Sequence, residues 1–184
     1  KETMFRMKNV LKKISCITGA VLLIGCLAGC PSGSETNDIS YISRTLGIDL
    51  AGGTVLSSED THGGFHGDGD TYVKISFDDD SGAALADTMT DNSDWCAFPL
   101  SDNLQTVVYG RVDGDAQYGP YLTDDKGASI IPPIEHGYYY FYDRHSESNN
   151  PKDDTELLSR ASLNFTIALY DTDNNKLYYY ELDT

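Results

Sequence analysis

Thr61-His-Gly-Gly-Phe-His-Gly-Asp-Gly-Asp70 puts two histidines and two carboxylates within nine residues, on a stretch with four glycines. Imidazole nitrogens and carboxylate oxygens are the donors that zinc accepts. Glycine lets a ligand approach the backbone closely. His62, His66, Asp68 and Asp70 are therefore the candidate metal ligands. His62, His66 and Asp68 are also the candidate catalytic groups, since histidine exchanges a proton near neutral pH. The spacing matches no established zinc pattern. A turn whose polar side chains satisfy their own backbone is the competing reading and the preferred one, with no cofactor expected.

Asp143-Arg144-His145, with His136, forms a second polar cluster after an expected strand end. Calcium is the other metal to weigh in so acidic a chain. Asp171-Thr-Asp-Asn-Asn175 opens like an EF-hand loop, but Lys176 stands where glycine is needed and Leu182 where the bidentate glutamate is needed. Asp78-Asp-Asp80 and Asp113-Gly-Asp115 offer oxygens for calcium and read more simply as solvated turns. No nucleophile elbow, Walker loop, dinucleotide fingerprint or His-Glu-x-x-His pattern occurs.

The elements that position these residues follow from periodicity. Asp38 can cap a helix carrying Ile39, Ile42 and Leu46, with Gly47 as its stop. Ile48, Leu50, Val55 and Leu56 flank Gly52-Gly53 as two short strands or one bent strand, and Glu59 to Asp70 reads as loop. Thr71–Phe77 alternates, with Val73, Ile75 and Phe77 on one face. Asp80 or Ser81 can cap a second helix running through Met89, with Ala84, Leu85, Thr88 and Met89 inward. Gln105–Tyr109 reads as a strand, Gly137–Tyr142 as another, and Glu156–Arg160 as a helical turn. Cys96, beside Trp95, reads as a small buried hydrophobe.

Leu163–Tyr170 and the last strand alternate around Asp173-Asn-Asn-Lys176. A two-residue turn there sets Leu169 opposite Tyr180 and Ile167 opposite Leu182. One face is then Phe165, Ile167, Leu169, Tyr180 and Leu182; the other holds Thr166, Ala168, Tyr170, Tyr179, Glu181 and Asp183, with Thr166 and Glu181 expected to be more exposed. The expected fold is α+β: a twisted antiparallel sheet of five or six strands with two short helices on one face.

Lys8, Lys12 and Lys13 precede an apolar run from Ile14 to Ala28, which ends in Leu27-Ala28-Gly29-Cys30. A basic start, a short apolar core and small residues before a cut make a secretory signal. The run is too short to span a bilayer, which takes about twenty residues. Residues 27–30 resemble a bacterial lipoprotein signal. The resemblance implies cleavage by signal peptidase II before Cys30 and a diacylglyceryl group on that thiol. Leu23-Ile-Gly-Cys26 matches the pattern more loosely. Lys1–Arg6 precede a natural-looking start at Met7.

The expected organisation is a signal peptide over 1–29, a lipidated cysteine and polar tether over 30–38, and one acidic domain over 39–184. Gly63–Gly69, Tyr138–Arg144 and Leu177–Asp183 together resemble a group of small uncharacterised proteins from Firmicutes, which implies a host and no mechanism. The lipoprotein resemblance places the chain at the outer face of the bacterial cytoplasmic membrane.

The whole chain carries a formal charge of −16; residues 30–184 keep eight basic and 28 acidic residues, a charge of −20. That disfavours nucleic acid and favours solubility or a basic partner. All thirteen tyrosines lie after Cys30, and an exposed set of them would suit a glycan or a protein partner. The leading reading is a lipid-anchored, non-enzymatic binding module. The alternatives are a metal- or histidine-dependent envelope hydrolase centred on His62–Asp70, and an inhibitor or immunity-type protein for a basic partner.

Overall fold

A computed structural model describes residues 38–63 and 67–184. The expectations for Cys26, Cys30, the signal and His66 lie outside the described residues. Asp38 caps helix α1 (Ile39–Leu46), its carboxylate accepting from Ser40 N at 2.7 Å, and Gly47 closes it in the left-handed region. Strands β1 (Thr54–Asp60) and β2 (Gly69–Ser76) follow, and then helix α2 (Asp79–Asp91). The cap of α2 is Asp78, two residues before Asp80 and three before Ser81, and its buried stripe is Gly82, Leu85 and Met89. Ala84 and Thr88 face solvent. Gly82 is needed there because a Cβ would stand 2.9 Å from the Tyr170 hydroxyl, which donates to the Gly82 carbonyl at 3.0 Å.

Strand β3 (Trp95–Ala97) precedes helix α3 (Asp102–Tyr109), a small hairpin of β4 (Arg111–Asp113) and β5 (Ala116–Tyr118), and strand β6 (Gly137–Asp143). A 3-10 turn at Leu157–Ser159 leads to β7 (Asn164–Asp171) and β8 (Lys176–Asp183). The strand expected at Gln105–Tyr109 is helix α3. Its β-branched residues favour a strand locally, but Ser101 caps the segment by accepting from Leu104 N at 3.1 Å. Leu104, Val107 and Val108 then fall at helical spacing and are fully buried. Cys96 is exposed, not buried, because β3 is a three-residue edge strand in which only Trp95 turns inward.

The six-stranded sheet has the order β1-β2-β8-β7-β6-β3, every neighbouring pair antiparallel, and a separate two-stranded sheet joins β4 and β5. The α+β fold, mostly sheet, is as expected. Both faces of the large sheet are covered. Under α1 and α2 lie Val73, Ile75, Ala168, Tyr170, Leu177 and Tyr179, packed with Ile42, Leu46, Leu85 and Met89. Under α3 and the long segments before β6 and β7 lie Phe141, Phe165, Ile167, Leu169, Tyr178 and Tyr180.

In the last hairpin the register differs from expectation by two residues. Asp171 pairs with Lys176, Ile167 with Tyr180 and Leu169 with Tyr178. Asp171 is the cause: its Oδ1 accepts from Asp173 N at 2.9 Å and Asn174 N at 3.1 Å, building a four-residue loop that Asn175 closes at φ 49°. An even shift leaves every side chain on its expected face. Burial does differ. Thr166 is 1% exposed and Glu181 is 4% exposed. Helix α1 covers that end of the sheet, so the polar face is enclosed rather than solvated.

Candidate functional site

The glycine-rich segment leaves β1 at Asp60 and enters β2 at Gly69. Its base is tied by Thr61 and Asp70: Thr61 N donates to Asp70 O at 2.8 Å, and Asp70 N donates to Thr61 Oγ1 at 2.8 Å. The Thr61 hydroxyl also donates to the Asp70 carboxylate. Gly69 is required at this neck, since a Cβ would lie 2.6 Å from His62 Cα.

His62 sits between two carboxylates. Its Nδ1 is 2.8 Å from Asp60 Oδ1, and its Nε2 is 3.2 Å from Asp183 Oδ2 on β8. The Thr71 hydroxyl stands 3.2 Å from Nδ1. Arg144, just past β6, grips both oxygens of Asp183, Oδ1 at 3.0 Å and the Oδ2 that faces His62 at 3.1 Å. The same guanidinium donates to the carbonyls of Phe165 and Leu182 at 3.2 and 3.4 Å. Asp60, His62, Asp183 and Arg144 thus alternate in charge across the end of the sheet. Burial alone would lower the His62 pKa, but hydrogen bonds to Asp60 and Asp183, and their charges, raise it above its ordinary value. Only the doubly protonated ring can donate to both carboxylates.

Asp70 goes elsewhere. Strand alternation turns it toward the α3 side, where Tyr180 Oη donates to its Oδ2 at 3.0 Å. Burial and then the Asp70 charge push the Tyr180 pKa up, so the phenol stays protonated. Asp68 is exposed and, with Asp70, Tyr121, Thr123, Tyr180 and Asp183, borders a depression of about 530 Å³. His62 and Asp70 thus take different partners: Asp60, Thr71 and Asp183 for the one, Thr61 and Tyr180 for the other. Among the described residues, no group of three or more His, Cys, Asp or Glu side chains is placed to hold a metal ion. His66 lies outside them.

The second cluster also divides. Asp143 is buried and pairs with Arg160, not Arg144. His145 Nε2 is 3.1 Å from Ser162 Oγ. His136 lies at the opposite end of the sheet, with Nδ1 2.9 Å from Asp173 Oδ2. Asp171, the first residue of the EF-hand-like run, spends its carboxylate on the hairpin backbone and on Asn174 Nδ2 at 2.8 Å.

No protein-family model, curated protein or solved structure matches the chain. Its chemistry is therefore read from its own geometry.

One arrangement went unseen in sequence. The registers place Asp60, Thr71, Glu181, Thr166 and Tyr142 side by side on five neighbouring strands, a polar row bordering the core under α1. Glu181 Oε1 accepts from Thr166 Oγ1 at 3.3 Å and from Tyr41 Oη of α1 at 3.4 Å. Tyr179 lies in the next row inward, fully buried, and its hydroxyl has no hydrogen-bond partner among the described residues. Burial, then the Glu181 charge, pushes the Tyr179 pKa up. The strand alternation signals the shared face; the helix that encloses it is signalled only by Tyr41, one turn after the cap.

Proposed function

We propose that this chain is a lipid-anchored protein of the bacterial cell surface that binds a partner rather than catalysing a reaction. Leu27-Ala28-Gly29-Cys30 supports the anchor, and Pro31–Asn37 supports a polar tether. The described fold has Asp38 as the cap of α1. Eight residues of extended chain reach about 29 Å at most, so an anchor at Cys30 holds the domain near the membrane surface.

The observation that favours binding over hydrolysis is His62. Each ring nitrogen already faces a carboxylate, at 2.8 and 3.2 Å. A general base needs a free nitrogen within reach of its substrate. With 13 basic against 29 acidic residues in the chain, the class of partner that the charge favours is a basic protein. The inhibitor or immunity-type reading is one form of this.

The anchor is tested by mass spectrometry of the processed chain from a bacterial host. A diacylglyceryl-modified Cys30 at the new N-terminus is expected, with Cys30→Ala left unprocessed. A processed chain free in the medium with an unmodified Cys30 would sink the proposal. The binding reading is tested by His62→Gln, which should leave cellular function intact at neutral pH. Loss of function in a variant of unchanged melting temperature would favour the hydrolase.

A further inference from the structure

We propose that the β4–β5 hairpin and the depression beside its base form one docking surface for a basic partner protein, with an arginine of that partner entering the depression against Tyr121, Asp68 and Asp70. This inference rests on the binding reading above and names its surface and the side chain that it takes.

Neither core requires the hairpin. All six of its strand residues are exposed, and none belongs to either apolar cluster. A two-stranded ribbon gains little stability by itself. Its base is nonetheless tightly built. Gly110 N donates to Thr106 O at 3.0 Å and Tyr121 N donates to Val107 O at 2.8 Å, so both ends of the excursion are tied to α3. A Cβ at Gly119 would stand 2.3 Å from Thr106 O. Arg111 pairs with Tyr118 across the strands and lies 5.2 Å from the centre of its ring. The hairpin is thus a braced arm whose side chains are held before any partner arrives.

Its residue types point to contact. Among the described residues six large hydrophobic side chains are exposed, and three of them fall here: Val112 at 73%, Tyr118 at 45% and Tyr121 at 40%. Such side chains scattered singly are ordinary, whereas three within ten residues mark an interaction surface. Tyrosine and arginine are also the types that carry binding energy at interfaces.

Charge selects the occupant. Tyr121 follows the hairpin by three residues and borders the depression of about 530 Å³. Three carboxylates line that depression, and they differ. Asp183 is matched by Arg144 and His62. The side chain of Asp70 accepts from two neutral hydroxyls, those of Thr61 and Tyr180. A carboxylate has about four acceptor positions, so two donors leave room for another. Among the described residues no cationic side chain pairs with Asp68 or Asp70. Two carboxylates without a cation, beside a part-exposed tyrosine ring, suit a guanidinium, whose planar fork reaches both oxygens and stacks on the ring. Arg111 lies against Tyr118 and does not supply it. Asp113 and Asp115 at the hairpin tip extend the negative surface. A second copy of this chain would set this surface against a charge of −16, which opposes it.

The test is NMR titration of the full chain in non-ionic detergent. The probes are acetyl-arginine amide, its neutral isostere acetyl-citrulline amide, and short peptides that alternate arginine with leucine or arginine with serine. Acetyl-arginine amide should shift Asp68, Asp70, Tyr121 and Tyr180 saturably and bind roughly fivefold tighter than the citrulline compound. The arginine–leucine peptide should extend the shifts over Arg111–Tyr118 and bind roughly tenfold tighter than the arginine–serine peptide. Asp68→Asn and Tyr121→Leu should each weaken acetyl-arginine amide. Val112→Ser should remove the advantage of leucine and leave acetyl-arginine amide unaffected. Asp68 and Val112 are exposed, so the melting temperatures of those two variants should not change.

Three results would overturn the proposal. Citrulline binding as well as arginine, or neither giving saturable shifts, would mean that the depression recognises no cation. Arginine peptides whose shifts spread over the acids of α2 would mean that charge alone acts. Shifts of Arg111–Tyr121 in the free chain that change on dilution would mean that a second copy covers the hairpin. None of these touches the lipid anchor or binding at another face, so the surface can fail while the wider reading stands.

Discussion

The proton on His62 links the end of β1 to the end of β8. Because its folded-state pKa is raised, the stabilisation is full below the unfolded value of about 6.5 and is lost as pH rises through the folded value. The melting temperature should therefore fall between mildly acidic and mildly alkaline pH. His62→Gln should flatten that part of the profile. His136 is raised in the same direction, first by its hydrogen bond to Asp173. It is exposed, so a residual slope from it belongs in the Gln variant. Equal slopes in the two proteins would show that His62 is neutral in the fold.

A second prediction at this scale concerns Tyr179. Its buried hydroxyl has no partner among the described residues, so Tyr179→Phe should leave stability unchanged or raise it. A drop of about 1 kcal/mol or more in denaturant unfolding would mean that an ordered water satisfies it. The residue types at the site were legible in the sequence. Their partners were not, because Asp183 and Arg144 come from strands far along the chain, and because one step of alternation sends Asp70 to the opposite face from Thr71.

Elements were readable where local and global signals agreed. Helix α1 has its cap, its apolar spacing and its glycine stop in one short run, and β7 alternates cleanly, with Phe165, Ile167 and Leu169 together on one face. Helix α3 was misread because Thr106, Val107 and Val108 favour a strand, and the deciding evidence lies outside them, in Ser101 and Leu104. Ser101→Ala should cost about 0.5–2 kcal/mol, at the upper end because the same hydroxyl also donates to Asp154 Oδ2 at 2.7 Å. Ile167, at 0% exposure on the central strand, should cost about 2–5 kcal/mol when cut to alanine. Chemical denaturation reads both. A neutral Ile167→Ala would place that side chain outside the core.

For the molecule as a whole, charge and burial act separately. The sheet is enclosed on both faces, so most of the acids are left on the surface. The described ion pairs are few: Asp60 and Asp183 with His62, Asp183 with Arg144, Asp94 with Lys152, Asp143 with Arg160, and Asp173 with His136. The remaining negative charges repel one another, and salt screens them over about 8–10 Å. Stability should rise from very dilute buffer to about 0.15 M salt, as read by melting temperature. A flat or falling response would show the acids to be too widely spaced to matter. The acidity was plain from composition. The enclosure of Glu181 was not, since a count of acids carries no information about which of them a helix will cover.

The β7–β8 hairpin carries a consequence for how this protein can change over time. Its side chains sort by parity alone: Leu169 faces the same layer whether its partner is Tyr178 or Tyr180. A slip of β8 by two residues along β7 keeps both layers intact, while a slip of one residue exchanges them and drives Glu181 and Asp183 into the place of Tyr180 and Leu182. Changes in the pairing of this hairpin are thus filtered by whether the slip is even, so the loop at Thr172–Asn175 can vary while the strands on either side keep their faces.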